Sequence, residues 1–340
     1  MPAPPSTLPA YAELQCVSNF SFLRGASRPE ELVERAATLG YSALALTDEC
    51  SLAGVVRAHV AAREHGLPLL IGSQFRLDST DGTPPFSLVL LATNRNGYGN
   101  LCELITLGRT RADKGSYLLH PQDLCAPQAE LAHLRGMPDC IALLTPEHGI
   151  DADLLRRQAQ WLADTFPQRA WLALTLLLRA QDERHRATVM EVAAECTLPV
   201  VATGDVCMHV RSRKPLQDTL AAIRLGTPIA ECGFALAPNA EQHLRARLRL
   251  ANIYPPETMN ETLRIVERCS FSLDELRYEY PDELVPPGET PASYLRRETW
   301  IGAQRRFPKG VPVKVQELLE HELALIAEMQ YEPYFLTVYD

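Results

Sequence analysis

Short, continuous apolar runs alternate along the first two thirds of the chain with stretches whose apolar positions recur every three or four residues. The runs predict strands at 14–17, 43–47, 67–75, 86–92, 140–144, 170–177 and 198–202. Between them, helices are expected at 29–39, 52–65, 98–107, 151–165 and 182–196. In the first helix Leu32, Val33, Ala36 and Ala37 share a face, and Ser27 stands as its cap ahead of Glu30. The second ends at Gly66, a residue suited to the left-handed turn that closes helices. Apolar strands separated by helices mean a parallel sheet buried on both faces, either closed into a barrel or left open.

After about residue 210 the rhythm changes. Helices are expected at 217–225, 240–250 and 256–269 with no strand-like run between them. A proline-rich stretch at 281–291 reads as a linker to a final helical pair at 292–306 and 315–329. The chain then stops inside a fresh apolar run, 331–340 (YEPYFLTVYD), which reads as a truncation. The expected organisation is a flexible leader at 1–10, carrying Pro2, Pro4, Pro5 and Pro9, a barrel domain at 11–269, and the truncated start of a second domain at 270–340.

Polar residues collect just beyond the strands: Ser18 and Asn19, Asp48 and Glu49, Ser73 and Gln74, and Asp205. In parallel barrels chemistry is assembled at those strand ends. The competing reading for Asp48 is that it caps the helix that follows. Asp151 and Asp153 open a helix and read as caps too.

Composition narrows the picture. With 42 Asp and Glu against 33 Lys and Arg the formal charge is -9, so the chain is not expected to grip DNA unaided. Two basic clusters, Arg211, Arg213 and Lys214, then Arg245, Arg247 and Arg249, read as solvated faces. The 9 cysteines have no C-x-x-C spacing, which points to reduced thiols and a cytoplasmic location. Cys102 and Cys196 read as small buried hydrophobes; Cys207 is the one expected to merit a reactivity test. No apolar run approaches the roughly 20 residues that span a bilayer, so no membrane partner is expected. A G-x-S-x-G elbow, a Walker sequence and a G-x-G-x-x-G loop are all absent.

Residues 11–27 (YAELQCVSNFSFLRGAS), 45–54 (ALTDECSLAG), 69–74 (LLIGSQ) and 200–207 (VVATGDVC) resemble the metal-binding strand ends of a polymerase-and-histidinol-phosphatase (PHP) domain. Together with 91–101 (LATNRNGYGNL) and 328–340 (EMQYEPYFLTVYD), they resemble bacterial C-family DNA polymerases over nearly the whole chain. Residues 19–22 following Gln15, 216–225 (LQDTLAAIRL) and 273–279 (LDELRYE) are more similar to the error-prone, damage-inducible branch. The resemblance implies an α/β fold: a PHP-type distorted (β/α)7 barrel, then a helical segment that begins the polymerase palm. It implies a parent acting in translesion synthesis and DNA repair, with magnesium for nucleotidyl transfer, DNA as substrate, and an accessory polymerase-like protein and the sliding clamp as partners. A clamp-binding peptide of the Gln-x-x-Leu-Phe kind is not visible. The palm's catalytic carboxylates are implied beyond Asp340, so this chain is not expected to polymerise DNA alone.

Carried over position by position, the family's His-x-His becomes Gln15 and Val17, its Asp-His pair becomes Asp48 and Glu49, a Glu becomes Gln74, and its Asp-x-His becomes Asp205 and Cys207. Thr175 stands where a further Glu is implied. Active members bind about three metals through His and carboxylate ligands. Here Val17 cannot coordinate and the amides of Gln15 and Gln74 are poor substitutes, so the expectation is a catalytically inactive scaffold with no cofactor. Asp48, Glu49, Asp205 and Cys207 remain weak candidates for a single ion, while His209 reads as an exposed loop residue. Two alternatives stay open: a metal-dependent phosphoesterase or 3'-5' exonuclease with an altered ligand set, and a separate amidohydrolase-type barrel.

Overall fold

The computed structural model describes residues 8–79, 82–276 and 285–339. They form two compact units, divided between Glu275 and Leu276.

The first unit is built on seven strands in sequential order: β1 (Ala12–Glu13), β2 (Ala43–Leu46), β3 (Leu69–Leu77), β4 (Phe86–Ala92), β5 (Cys140–Thr145), β6 (Ala170–Thr175) and β7 (Val200–Thr203). Around them run α1 (Pro29–Thr38), α2 (Val55–His65), α3 (Arg95–Thr110), α4 (Pro121–Cys125), α5 (Ala152–Thr165), α6 (Asp182–Glu195), α7 (Lys214–Leu225), α8 (Arg247–Ala251) and α9 (Pro256–Arg268). All pairings are parallel except those of β4, which is antiparallel to both neighbours. The parallel sheet expected from the apolar runs is therefore corrected at one strand. The connection from Leu77 to Phe86 is too short for a crossover helix, and a short connection returns the chain antiparallel.

The first strand was expected at 14–17, but its ladder is confined to Ala12–Glu13. Beyond it the chain closes the barrel through a bridge: Val17 N donates to the Val206 carbonyl at 2.8 Å and Val206 N to the Gln15 carbonyl at 2.9 Å. Alternate residues point inward, as strand pleating requires. Leu14, Ala45, Val89, Leu143 and Trp171 fill the barrel, and Ile265 of α9 packs into the same cluster. Helix α9 is anchored there because Thr262 Oγ1 accepts from Ala12 N at 3.1 Å. Among the described residues no helix is long and apolar enough to cross a membrane.

Other local expectations need correction. Arg28, not Ser27, is the residue before α1; its N–H donates to Glu31 at 2.9 Å, with Pro29 at the first helical position. The helix expected at 240–250 survives only as α8, because Met208 pairs as a β-bridge with His243 and Arg245 turns fully inward. Asp151 caps α5 as expected, accepting from Asp153 N and Leu154 N.

In the second unit α10 (Pro291–Arg306), capped by Thr290, α11 (Val313–Glu328) and α12 (Glu332–Tyr339) meet at Leu295, Leu323 and Leu336. The terminal apolar run is helical through Tyr339. The expected leader and linker fall partly outside the described residues.

Candidate functional site

Gln15, Glu49, Gln74, Thr175 and Asp205 line one cavity at the barrel mouth, while Asn19 lies away from it. Asp48 follows β2 and is 1% exposed. Its carboxylate accepts from Ser18 N, Ser18 Oγ and Ser21 Oγ, each at 2.7 Å. Asp48 is thus no helix cap: Gly54 precedes α2, and Asp48 instead holds the turn leaving β1. That turn needs Gly25, where an added Cβ would lie 2.0 Å from the Ser18 carbonyl oxygen. Burial raises the Asp48 pKa, against the lowering effect of the two serines.

Glu49 is paired with Arg24 and accepts from Tyr117 Oη at 3.0 Å. Gln74 bridges the same strand end through its backbone: Cys50 N donates to its carbonyl at 2.9 Å. Asp205 sits after β7 with φ at 45°. Two amides hold its carboxylate: Gln15 Nε2 donates to Oδ1 at 3.1 Å and Gln242 Nε2 to Oδ2 at 2.6 Å. Burial is the largest influence on this carboxyl and raises its pKa. At the Thr175 position the hydroxyl meets Thr203 Oγ1 at 2.8 Å.

Val17 and Cys207 pack with Ala26 and Met208 in a small apolar cluster at the edge of the mouth. The Cys207 thiol, the one singled out for a reactivity test, is buried and donates to the Gln242 carbonyl at 3.6 Å; burial pushes its pKa well above the ordinary thiol range. His209 is not a free loop residue either. Ser27 Oγ accepts from its backbone N–H and contacts its Nδ1, both at 2.8 Å, and burial lowers the imidazole pKa.

Does this donor set fit the metals that the resemblance implies? The retained carboxylates are each taken up by hydroxyls, amides or a guanidinium, and the remaining positions are amide, aliphatic or protonated thiol. Among the described residues no group of three or more His, Cys, Asp or Glu is placed to hold a metal ion. The arrangement does not fit a three-metal centre.

Several participants were not singled out from the sequence: Ser21, Tyr117 and Gln242, which occupy the carboxylates, and Arg179, His148 and His185, which line the cavity of about 290 Å3 at the mouth. His148 Nε2 contacts Asp182 at 3.0 Å, and His185 is held neutral by burial, its pKa lowered to about 4. Arg245, read as solvated, is 1% exposed; it donates to the Leu176 carbonyl at 2.8 Å and to Tyr254 Oη at 3.1 Å. Arg211 and Arg249 pair with the buried Glu241.

A PHP domain model matches residues 13–190. This chain belongs to the PHP domain family. Behind the PHP domain, residues 293–340 match the bacterial DNA polymerase III alpha NTPase domain. The chain is 63% identical over 333 residues to the error-prone DNA polymerase of Bordetella parapertussis, covering 98% of this chain and 32% of that protein. The error-prone DNA polymerase of Ralstonia nicotianae is 57% identical, with 99% and 32% covered. That of Burkholderia mallei is 56% identical, with 100% and 33% covered. The chain therefore spans about a third of the length of the curated relatives it matches. Among solved structures, a putative metal-dependent phosphoesterase from Bifidobacterium adolescentis aligns at 15% identity and TM-score 0.40 over 60% of this chain and 88% of that one. An amidohydrolase from Chromobacterium violaceum aligns at 15% identity and TM-score 0.40 over 58% and 88%.

Proposed function

We propose that this chain is the amino-terminal part of an error-prone DNA polymerase, and that its PHP domain works as a metal-free scaffold. The parent carries out DNA-templated nucleotidyl transfer past lesions in the bacterial cytoplasm, with magnesium at carboxylates beyond Asp340 and DNA held mainly outside this acidic region. Residues 270–340 begin the palm, and accessory translesion proteins and the sliding clamp act on the parent. The polymerase match at the carboxy-terminal end counts against a separate amidohydrolase-type enzyme.

The observation that carries the scaffold reading is how the surviving carboxylates are satisfied. A buried carboxylate that has lost its metal is costly unless other donors replace it. Asp48 has three donors from its own chain, Glu49 has Arg24 and Tyr117, and Asp205 has two amides. This set fixes the strand ends in place of ions and leaves none of Asp48, Glu49 and Asp205 free to activate water.

The test is a nuclease assay on a labelled primer–template with manganese or zinc added. The scaffold reading predicts no shortening of the 3' end, and no release of phosphate from a phosphomonoester. Metal-dependent shortening that is lost in Asp48→Asn and Asp205→Asn variants would instead establish the exonuclease alternative.

A further inference from the structure

Helices α1 and α2 carry a groove on the outer wall of the barrel that shares no residue with the cavity at the mouth. It encloses about 440 Å3 between Glu30 and Glu34 of α1 and Val56, Val60 and Glu64 of α2. Four-residue spacing sets each group along one side of its helix. Helix α2 buries Val55, Ala58, Ala61 and Ala62, yet Val56 and Val60, turned away from that face, are 64% and 51% exposed. It is thus apolar on two sides. Valine forms helix less readily than alanine, so the helix itself gains nothing from these two exposed side chains. The charges on the rim are of one sign except for Arg57, whose Nε and Nη2 both lie 2.6 Å from Glu30 Oε1. Among the described residues, the exposed carboxylates of Glu34 and Glu64 have no hydrogen-bond or ion-pair partner.

We propose that this groove is the docking site for a basic amphipathic helix of a separate partner protein. Two helices side by side leave a furrow between their ridges, and a third helix packs into it when its apolar side chains recur every three or four residues. The valines supply the floor that loses water on docking and carries the affinity. The unpaired carboxylates select lysine and arginine along the edges of the incoming helix. A second copy of this chain, with a formal charge of -9, is a poor source of that helix. The surface stands whether or not the barrel mouth holds metal.

The experiment is fluorescence anisotropy of the full chain with two labelled peptides of the same composition, about 18 residues of Leu, Ala and Lys. In one the leucines recur every three or four residues; in the other the order is scrambled. Saturable binding of the patterned peptide, about tenfold or more tighter than that of the scrambled one, is expected. Val56→Ala combined with Val60→Ala should weaken it about tenfold, the loss of buried methyl groups at two positions. Alanine favours helix, so this variant keeps its fold, which a thermal melt checks. Glu34→Gln combined with Glu64→Gln should weaken binding several-fold at low salt and by less at about 0.5 M salt. Asp153→Asn, which alters an exposed pair with Arg156, should leave binding unchanged. Undiminished binding by the glutamine variant would overturn the basic character of the partner. The proposal fails if the scrambled peptide binds as well, if the valine variant binds undiminished, or if no peptide saturates below about 1 mM. It fails too if sedimentation shows the groove pairing two copies of this chain in a dimer that the valine substitutions abolish.

Discussion

Replacing Asp205 by asparagine separates a carboxylate kept for a metal from one held by amides. In the wild type Gln15 donates to one carboxylate oxygen and Gln242 to the other. Asparagine keeps one oxygen and makes the other position an NH2 donor. The Gln15 amide can meet that donor by turning over, because its Oε1 is buried without a partner. Asparagine also tolerates the left-handed backbone found here, φ 45°. One hydrogen bond is exchanged for another and a poorly hydrated charge is removed. The expected change near neutral pH is within about 1 kcal/mol, roughly 2–4 °C in melting temperature. Alanine at the same position leaves the Gln15 amide without its acceptor and the Gln242 amide with only the residue 205 carbonyl, so a loss of about 1–3 kcal/mol is expected.

The pH dependence has a definite sign. Burial raises the folded-state pKa of Asp205 above its unfolded value. The folded protein therefore holds this proton more tightly, and the stability it contributes is full below the unfolded pKa and lost as pH rises through the folded one. Wild type should gain on Asp205→Asn as pH falls from neutral through the folded-state pKa toward the unfolded one. A metal-ligating aspartate would behave in the opposite sense, since acid would displace the ion. Urea denaturation of both proteins across this range is the assay. The reasoning is refuted if asparagine is as damaging as alanine, or if wild type loses ground to the asparagine variant in acid.

Arg245→Ala should cost about 2–4 kcal/mol in urea denaturation, because it removes a large, fully buried side chain and the charge-assisted bonds it gives the Leu176 carbonyl and the Tyr254 hydroxyl. Native-state alkylation read by mass spectrometry should leave Cys207 unlabelled while the half-buried Cys125 reacts, with Cys207 labelling only on unfolding. Gly25→Ala should destabilise by about 3 kcal/mol or more, measured the same way, since its Cβ would collide with backbone, which cannot swing aside.

Most strands were legible because their runs are largely apolar, a signal that survives any tertiary context; β3 is the mixed one, with Gly72, Ser73, Gln74 and Arg76 inside it. The reversed direction of β4 was not, since an apolar run says nothing about which way it is laid down. Arg245 failed for a related reason. Its local pattern of alternating arginines reads as solvated, while the carbonyl and hydroxyl that satisfy it belong to Leu176 and Tyr254, brought near only by the fold. The site divides in the same way. The family resemblance pointed to Gln15, Asp48, Glu49, Gln74 and Asp205, but a resemblance is blind to what occupies each carboxylate. Gln242 follows Asp205 by 37 positions and Tyr117 follows Glu49 by 68. Cys207 and Val17 lie on the apolar side of the bridge that closes the barrel, which only the register could place.

Metal content tests the central claim most directly: the purified chain is dialysed against manganese and zinc, passed into metal-free buffer, analysed by mass spectrometry, and melted with and without chelator. The account predicts below about a tenth of an equivalent of bound metal and identical melting curves. Stoichiometric metal with a chelator-sensitive melt would contradict it, and would return Asp48, Glu49 and Asp205 to the role of ligands.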